Sequence, residues 1–261
     1  MSSESRTLLA VDIGNTNVTI GAFDGASLRE SWRISTDRHR MADEYRPLLA
    51  ELLRASGLRF ADLKGAILAS VVPPVLQEMS LALEKAGVAV TVLTPKLVPY
   101  LPVRYDPPES VGADRLANGI AASRLYGTPA IIVDLGTATT IEVIDGDGAY
   151  IGGAISPGLE SSMEALFRGA FQLPRLQPVA PQRAIGTSTV ESIRSGLVFG
   201  WASMVDGLID RFRQELAGEP VVIGTGGLAT LVAPHSRHIT VVDVDLTLQG
   251  LRLAYEAMSG S

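Results

Sequence analysis

The chain has 261 residues, 46% hydrophobic and 19% charged, with 22 basic against 28 acidic side chains and a net charge of −6. That composition excludes a disordered chain, and the lack of any cysteine excludes disulfides, thiolate metal sites and cysteine nucleophiles. Only His39, His235 and His238 are present, without the H-x-x-x-H spacing of a zinc helix, and no basic stripe exists to neutralise a nucleic acid.

No uncharged apolar run approaches the ~18 residues of a membrane span. The opening segment carries Arg6 and then Asp12, without a signal-peptide core. The expectation is a cytoplasmic protein with neither membrane nor nucleic-acid partners. At ~150 residues per domain the length allows one large or two small domains. A chain of this mass exposes about 11,000 Å² folded against about 40,000 Å² unfolded, so a core forms without staples.

Apolar, β-branched runs alternate with helical patterns, which predicts an α/β fold. Thr7–Ile13 and Val18–Phe23 read as strands, and Asp24-Gly25 as a hairpin turn before a third strand, Leu28–Ile34. Met41–Ser56 reads as a helix with Leu48, Leu49, Leu52 and Leu53 on one face and Gly57 as its stop. Strand Ala66–Val72 ends at Pro73-Pro74, helix Val75–Ala86 ends at Gly87, and Val88–Leu93 follows as a strand. Pro95, Pro99, Pro102, Pro107 and Pro108 mark a rigid connector and the expected domain boundary, giving domains 1–113 and 114–261.

Beyond the boundary come helix Asp114–Tyr126 and strands Ala130–Val133, Thr139–Ile144 and Ala149–Ile155, with a turn at Asp145–Gly148. Glu142 and Asp145 alternate with apolar residues, which predicts a solvated strand edge. A long helix over Thr189–Ala217, strands Val221–Ile223 and Ile239–Val242, and helix Leu246–Met258 complete the chain. In the long helix Gly196, Gly200, Ala202 and Gly207 are small residues suited to close approach of another backbone; each glycine costs ~1 kcal/mol of helix stability.

One repeat organises these elements. Val11-Asp12-Ile13-Gly14-Asn15-Thr16-Asn17 returns as Val133-Asp134-Leu135-Gly136-Thr137-Ala138-Thr139, 122 residues later. In each copy a glycine lets the turn close and brings backbone N–H groups near its mouth. Asn15, Thr16, Thr137, Thr139 and Thr140 add neutral donors for phosphate oxygens, and each aspartate suits a hydrated cation. An ordinary hairpin closed by its own polar side chains explains one copy equally well; two copies at half-chain spacing favour a ligand. A third glycine turn, Gly224-Thr225-Gly226-Gly227, follows a strand and opens a short helix, an arrangement that suits an anion but also occurs in plain strand-to-helix turns.

These three motifs resemble the nucleotide-site motifs of the acetate and sugar kinase/actin superfamily. Gly112-Ala113-Asp114-Arg115, Gly152–Gly158 and Thr189–Ile193 narrow the resemblance to type III pantothenate kinase, over essentially the whole chain. It implies two ribonuclease-H-like domains related by duplication, with mixed sheets flanked by helices and the nucleotide in the interdomain cleft. It further implies phosphorylation of pantothenate to 4′-phosphopantothenate, the first step of coenzyme A synthesis. A related small-molecule kinase or an actin-type nucleotide-dependent module is the alternative.

Carried over by position, the resemblance makes Asp12, Ile13, Gly14, Asn15, Thr16, Asn17, Val18 and Thr19 the first ATP loop, with Asp12 reaching Mg²⁺ through water. Thr137, Gly226 and Gly227 are further ATP contacts, the last two on the adenosine side. Asp134 is the ligand of a monovalent cation, K⁺ or NH₄⁺. Tyr105, Gly112, Ala113, Asp114, Arg115 and Thr189 hold pantothenate, and Asp114 is the general base. The family's Asn-Pro after the tyrosine-acidic pair is replaced here by Pro107-Pro108. A homodimer is expected, paired through helices of the second domain.

Overall fold

The computed structural model describes residues 7–97, 100–169 and 176–260; Arg6 and Pro99 lie outside the described residues. In chain order the elements are β1 (Thr7–Ile13), β2 (Asn17–Asp24), β3 (Ser27–Ser35), α1 (Ala42–Ala55), β4 (Leu63–Ser70), α2 (Pro73–Lys85), β5 (Val90–Val92) and α3 (Ala113–Ala121). There follow β6 (Ala130–Leu135), β7 (Ala138–Ile144), β8 (Tyr150–Pro157), α4 (Leu159–Gly169), α5 (Thr189–Glu215), β9 (Val221–Thr225), α6 (Ala229–Val232), β10 (Val241–Val242) and α7 (Leu246–Met258).

The chain forms two compact units, one from 1–121 with 247–261 and the other from 122–246. This division differs from the expected 1–113 and 114–261. Helix α3 belongs with the first unit because α7 returns to pack on it: Gly250 of α7 sits where a Cβ would lie 1.9 Å from the Ala117 carbonyl oxygen. Thr247 Oγ1 also donates to Asn118 Oδ1 at 2.7 Å. The predicted helix 114–126 is α only to Ala121 and continues as a π turn over Ala122–Tyr126, so the unit boundary falls where the helix changes type.

Each unit carries one mixed five-stranded sheet, ordered β3-β2-β1-β4-β5 in the first and β10-β9-β6-β7-β8 in the second. In both, a three-stranded antiparallel meander is extended past its first strand by two parallel strands. The identical topology is the structural form of the sequence repeat.

Strand alternation then sorts the repeat's side chains. In the first unit Leu9, Val11, Ile13, Val18 and Ile20 face Tyr45, Leu49 and Leu53 of α1 and Val75, Met79 and Leu83 of α2. In the second, Ile131, Val133, Leu135 and Ile141 face Leu197, Val205 and Ile209 of α5. Asp12 and Asp134 fall between these core positions and lie on the opposite faces, half-buried.

The strand expected over Ala66–Val72 is shifted: β4 spans Leu63–Ser70 and stops before the prolines, and Pro73 and Pro74 instead open α2, at first-turn positions where no N–H is needed. The helix α4 has no counterpart among the elements expected from sequence, which leave the stretch between Ile155 and Thr189 unassigned.

Candidate active site

The two repeated turns are not equivalent. Between the last paired residues of the first hairpin, Ile13 and Val18, lie four residues; between Leu135 and Thr139 lie three. Gly14 N–H therefore donates to the Asn17 carbonyl at 2.9 Å, whereas Gly136 N–H donates to the Ala138 carbonyl at 3.1 Å. The longer turn leaves Asn15, Thr16 and Asn17 exposed. Ile13 and Val18, expected as ATP contacts, have fully buried side chains, so only their backbone can face a ligand.

The first turn is strapped from the segment after β3. Thr36 Oγ1 donates to the Gly14 carbonyl at 2.6 Å and Thr36 N–H to the Thr16 carbonyl at 2.9 Å. The exposed Arg38 reaches Asn15 Oδ1 at 3.4 Å. This guanidinium beside the loop was not legible in the sequence, since it follows the motif by more than twenty residues. Asp12 stands opposite Thr19 across the β1–β2 pair.

In the second unit the strand ends gather several glycines around one carboxylate. Asp134 pairs with Thr140 on one side and Thr225 on the other. Gly226, at φ +86°, lies where a Cβ would be 2.4 Å from Asp134 Oδ1, so the third glycine motif abuts the second aspartate. Gly227 is exposed beside it. Gly158 packs onto the turn backbone, where a Cβ would meet the Thr137 carbonyl oxygen at 2.3 Å. Gly158 N–H and Ser161 Oγ both donate to that carbonyl, at 3.2 and 3.0 Å. The start of α4 thus fixes the exposed Thr137.

The threonines of this turn divide by face. Thr139 is buried on the core side, which removes it from the expected phosphate donors, and its Oγ1 accepts from Trp201 Nε1 at 2.9 Å. Glu142, expected at a solvated edge, is fully buried, and Thr140 Oγ1 donates to its Oε1. Asp145 is half-buried and closes the β7–β8 turn, accepting from the N–H groups of Asp147 and Ala149 at 3.0 and 2.9 Å.

The Gly112–Arg115 segment opens α3 in the first unit. The Asp114 carboxylate folds back over Gly112, its Oδ1 accepting from Arg115 N–H at 2.8 Å, and a Cβ at 112 would lie 2.4 Å from that oxygen. The first-turn position gives the carboxylate a favourable end of the helix dipole. Arg115 is 8% exposed, and its guanidinium lies 6.0 Å from the centre of the Tyr105 ring. Ala113 is buried, so its side chain packs inward and its backbone alone is available to substrate. The Asp106–Pro107 peptide bond is cis.

Thr189 begins α5 in the second unit and is exposed, behind Ser188, whose Oγ accepts from Glu191 N–H at 3.3 Å. Gly186, Thr187, Ser188, Thr189, Ser192 and Ile193 line a shallow pocket at this helix start.

For cations, each turn supplies one half-buried carboxylate with neighbouring hydroxyls. That donor set fits Mg²⁺, which takes one or two carboxylates and fills its shell with water and phosphate oxygens.

The profile of the family described as Type III pantothenate kinase matches residues 8–211. The Type III pantothenate kinase of Moorella thermoacetica is 44% identical over 250 residues, covering 95% of this chain and 98% of the relative. That of Syntrophotalea carbinolica is 45% identical over 249 residues, with the same coverage. Among solved structures, the activator of 2-hydroxyisocaproyl-CoA dehydratase from Clostridium difficile with bound ADPNP superposes with a TM-score of 0.59 at 13% identity, covering 98% of each chain. Component A of the (R)-2-hydroxyglutaryl-CoA dehydratase of Acidaminococcus fermentans gives 0.57 at 14%, covering 96% of each. At such identity these two show the fold alone, two ribonuclease-H-like domains related by duplication. The profile match and the near-full-length relatives establish that this chain belongs to the type III pantothenate kinase family.

Proposed function

We propose that the chain transfers the γ-phosphoryl group of ATP to the primary hydroxyl of pantothenate, forming 4′-phosphopantothenate for coenzyme A synthesis. The observation that carries this reading is the Asp114 carboxylate, held over Gly112 at the first turn of α3 beside a buried arginine. Asp114 accepts the hydroxyl proton and aligns the oxygen on the γ-phosphorus. In a loose transition state positioning of the hydroxyl outweighs proton removal.

Arg115 holds the pantothenate carboxylate through its guanidinium fork, with the Tyr105 ring against the fork's face. The backbone at Gly112 and Ala113 borders the same substrate, and Thr189 contributes a hydroxyl. The Asp12–Thr19 and Gly136–Thr140 turns present N–H groups to phosphate oxygens, while Gly226 and Gly227 leave room on the adenosine side. Asp12, through water, would hold Mg²⁺ and Asp134 would hold a monovalent cation, and these would supply positive charge to the phosphates.

A homodimer completes the reading. Gly196, Gly200 and Gly207 lie on the outer face of α5, where an added Cβ would meet nothing within 4 Å. Ala202, expected to share that role, is buried and belongs to the core. A smooth, open helix face suits close approach of the same helix in a second copy.

Replacing Asp114 by Asn tests the assignment. With ATP, Mg²⁺, K⁺ and pantothenate, turnover followed by product mass should fall by at least about 100-fold, the scale of acid–base catalysis. The melting temperature and pantothenate binding should hold. Retained turnover removes Asp114 from the base role; loss of product from the wild-type protein with pantothenate, but not with another alcohol, removes the substrate.

A further inference from the structure

We infer that Glu142 is a positioning residue, one that turns the Thr140 hydroxyl into an acceptor for the cation held at Asp134. The inference rests on the reading of Asp134 as a monovalent-cation ligand and deepens it.

Glu142 has 0% exposure in the middle of β7. A carboxylate in that position is costly unless it is held by hydrogen bonds, and an apolar β-branched residue would fill a strand interior without that cost. Thr140 Oγ1 donates to Glu142 Oε1 at 2.5 Å. A hydroxyl has one hydrogen and two lone pairs. With the hydrogen directed inward to Glu142, the oxygen offers only lone pairs in any other direction.

That other direction is the Asp134 side. Thr140 is the direct partner of Asp134 in the β6–β7 register, which places the two Cβ atoms about 4.5–5.5 Å apart on one sheet face. Both residues are half-buried, whereas Glu142 is sealed. Thr139 faces the opposite way and is occupied by Trp201. A carboxylate beside a hydroxyl fixed as acceptor attracts a hard cation and repels a phosphate oxygen. The sequence reading, in which Thr140 donates to phosphate, needs the same hydrogen that Glu142 takes.

The test follows K⁺ binding by thermal unfolding of the full chain with Mg²⁺ and a non-hydrolysable ATP analogue. KCl is titrated at constant ionic strength against choline chloride. Wild type and Thr140→Ser should share one K⁺ midpoint. Glu142→Leu and Thr140→Val should raise it by about tenfold or more, the usual cost of removing an outer partner of a metal site. Kinetics should show the same rise in the K⁺ requirement, with the pantothenate KM unchanged.

A Glu142→Leu protein that melts lower but keeps its K⁺ midpoint within twofold overturns the inference and leaves Glu142 a structural residue. If that variant does not fold, Thr140→Val decides: weaker binding of the nucleotide analogue with an unchanged K⁺ midpoint makes the hydroxyl a phosphate donor and also overturns it. Asp134→Asn separates the layers. A midpoint unmoved in Asp134→Asn, or no K⁺ response in wild type, refutes the cation reading and the inference together. A response lost in Asp134→Asn but intact in both other variants refutes only the inference.

Discussion

Adding one methyl group at position 112 should disable the enzyme without unfolding it. The Cβ of Gly112→Ala would lie 2.4 Å from Asp114 Oδ1 and 3.5 Å from its Cγ, with Val71 Cγ1 at an unstrained 3.7 Å. Since ordinary contact begins near 3.4 Å, the carboxylate oxygen must retreat by about 1 Å. The backbone at 112 lies outside the left-handed region, so alanine is otherwise acceptable there. The helix-opening bond from Leu116 N–H to the Gly112 carbonyl, at 3.1 Å, does not involve the new atom.

A 1 Å misplacement of a positioned group costs on the order of 100-fold in rate, or about 2.7 kcal/mol of transition-state stabilisation. Melting should change by less than the effect of ~1 kcal/mol, because one oxygen moves into half-exposed space. A coupled assay gives kcat and KM, and a double-mutant cycle with Asp114→Asn isolates the cause. If Gly112 matters through Asp114, then adding Gly112→Ala to Asp114→Asn costs almost nothing more. Full additivity, or a single variant with kcat within twofold of wild type, would refute the reasoning.

Three further outcomes follow from the same geometry. Arg115→Lys keeps the charge but loses the planar fork over Tyr105, and should raise the pantothenate KM about tenfold with kcat nearly unchanged; an unchanged KM would show that the carboxylate lies elsewhere. Burial pushes the Asp206 carboxyl up, but hydrogen bonds from Ser236 Oγ, Arg237 N–H and the Arg237 side chain outweigh it and hold the pKa below the ordinary value. Its stabilisation is therefore complete above the unfolded value near 4 and lost as pH falls through the lower folded value. Asp206→Asn should cost about 2 kcal/mol at pH 7, with the gap to wild type narrowing below about pH 4; a gap independent of pH in urea melts would refute this. Finally, Gly200→Leu on the open face of α5 should shift sedimentation from dimer to monomer, whereas Leu at the exposed Glu84 of α2, in the first unit, should not.

Sequence alone determined the α/β class, the duplication and the identity of the three glycine turns, because these depend on local chemistry. Strand alternation, turn residues and a 122-residue repeat all act through neighbours in the chain. Some element bounds followed for the same reason: β1, with bounds Thr7–Ile13, and α7, with bounds Leu246–Met258, end where the periodicity ends.

The tertiary structure decided what depends on neighbours distant in sequence. Period-two alternation showed that Glu142 lies opposite the core-facing residues of β7, but it could not show whether that face meets water; it is buried. Of the hydroxyls in one motif, Thr139 and Thr140 point to opposite faces, and only the placement of Trp201 and Glu142 distinguishes their roles. The return of α7 onto α3 moved the unit boundary, since a close backbone approach at Ala117 and Gly250 leaves no trace in the intervening sequence. The close approach of the Asp114 carboxylate to Gly112, likewise, is visible only in the folded structure.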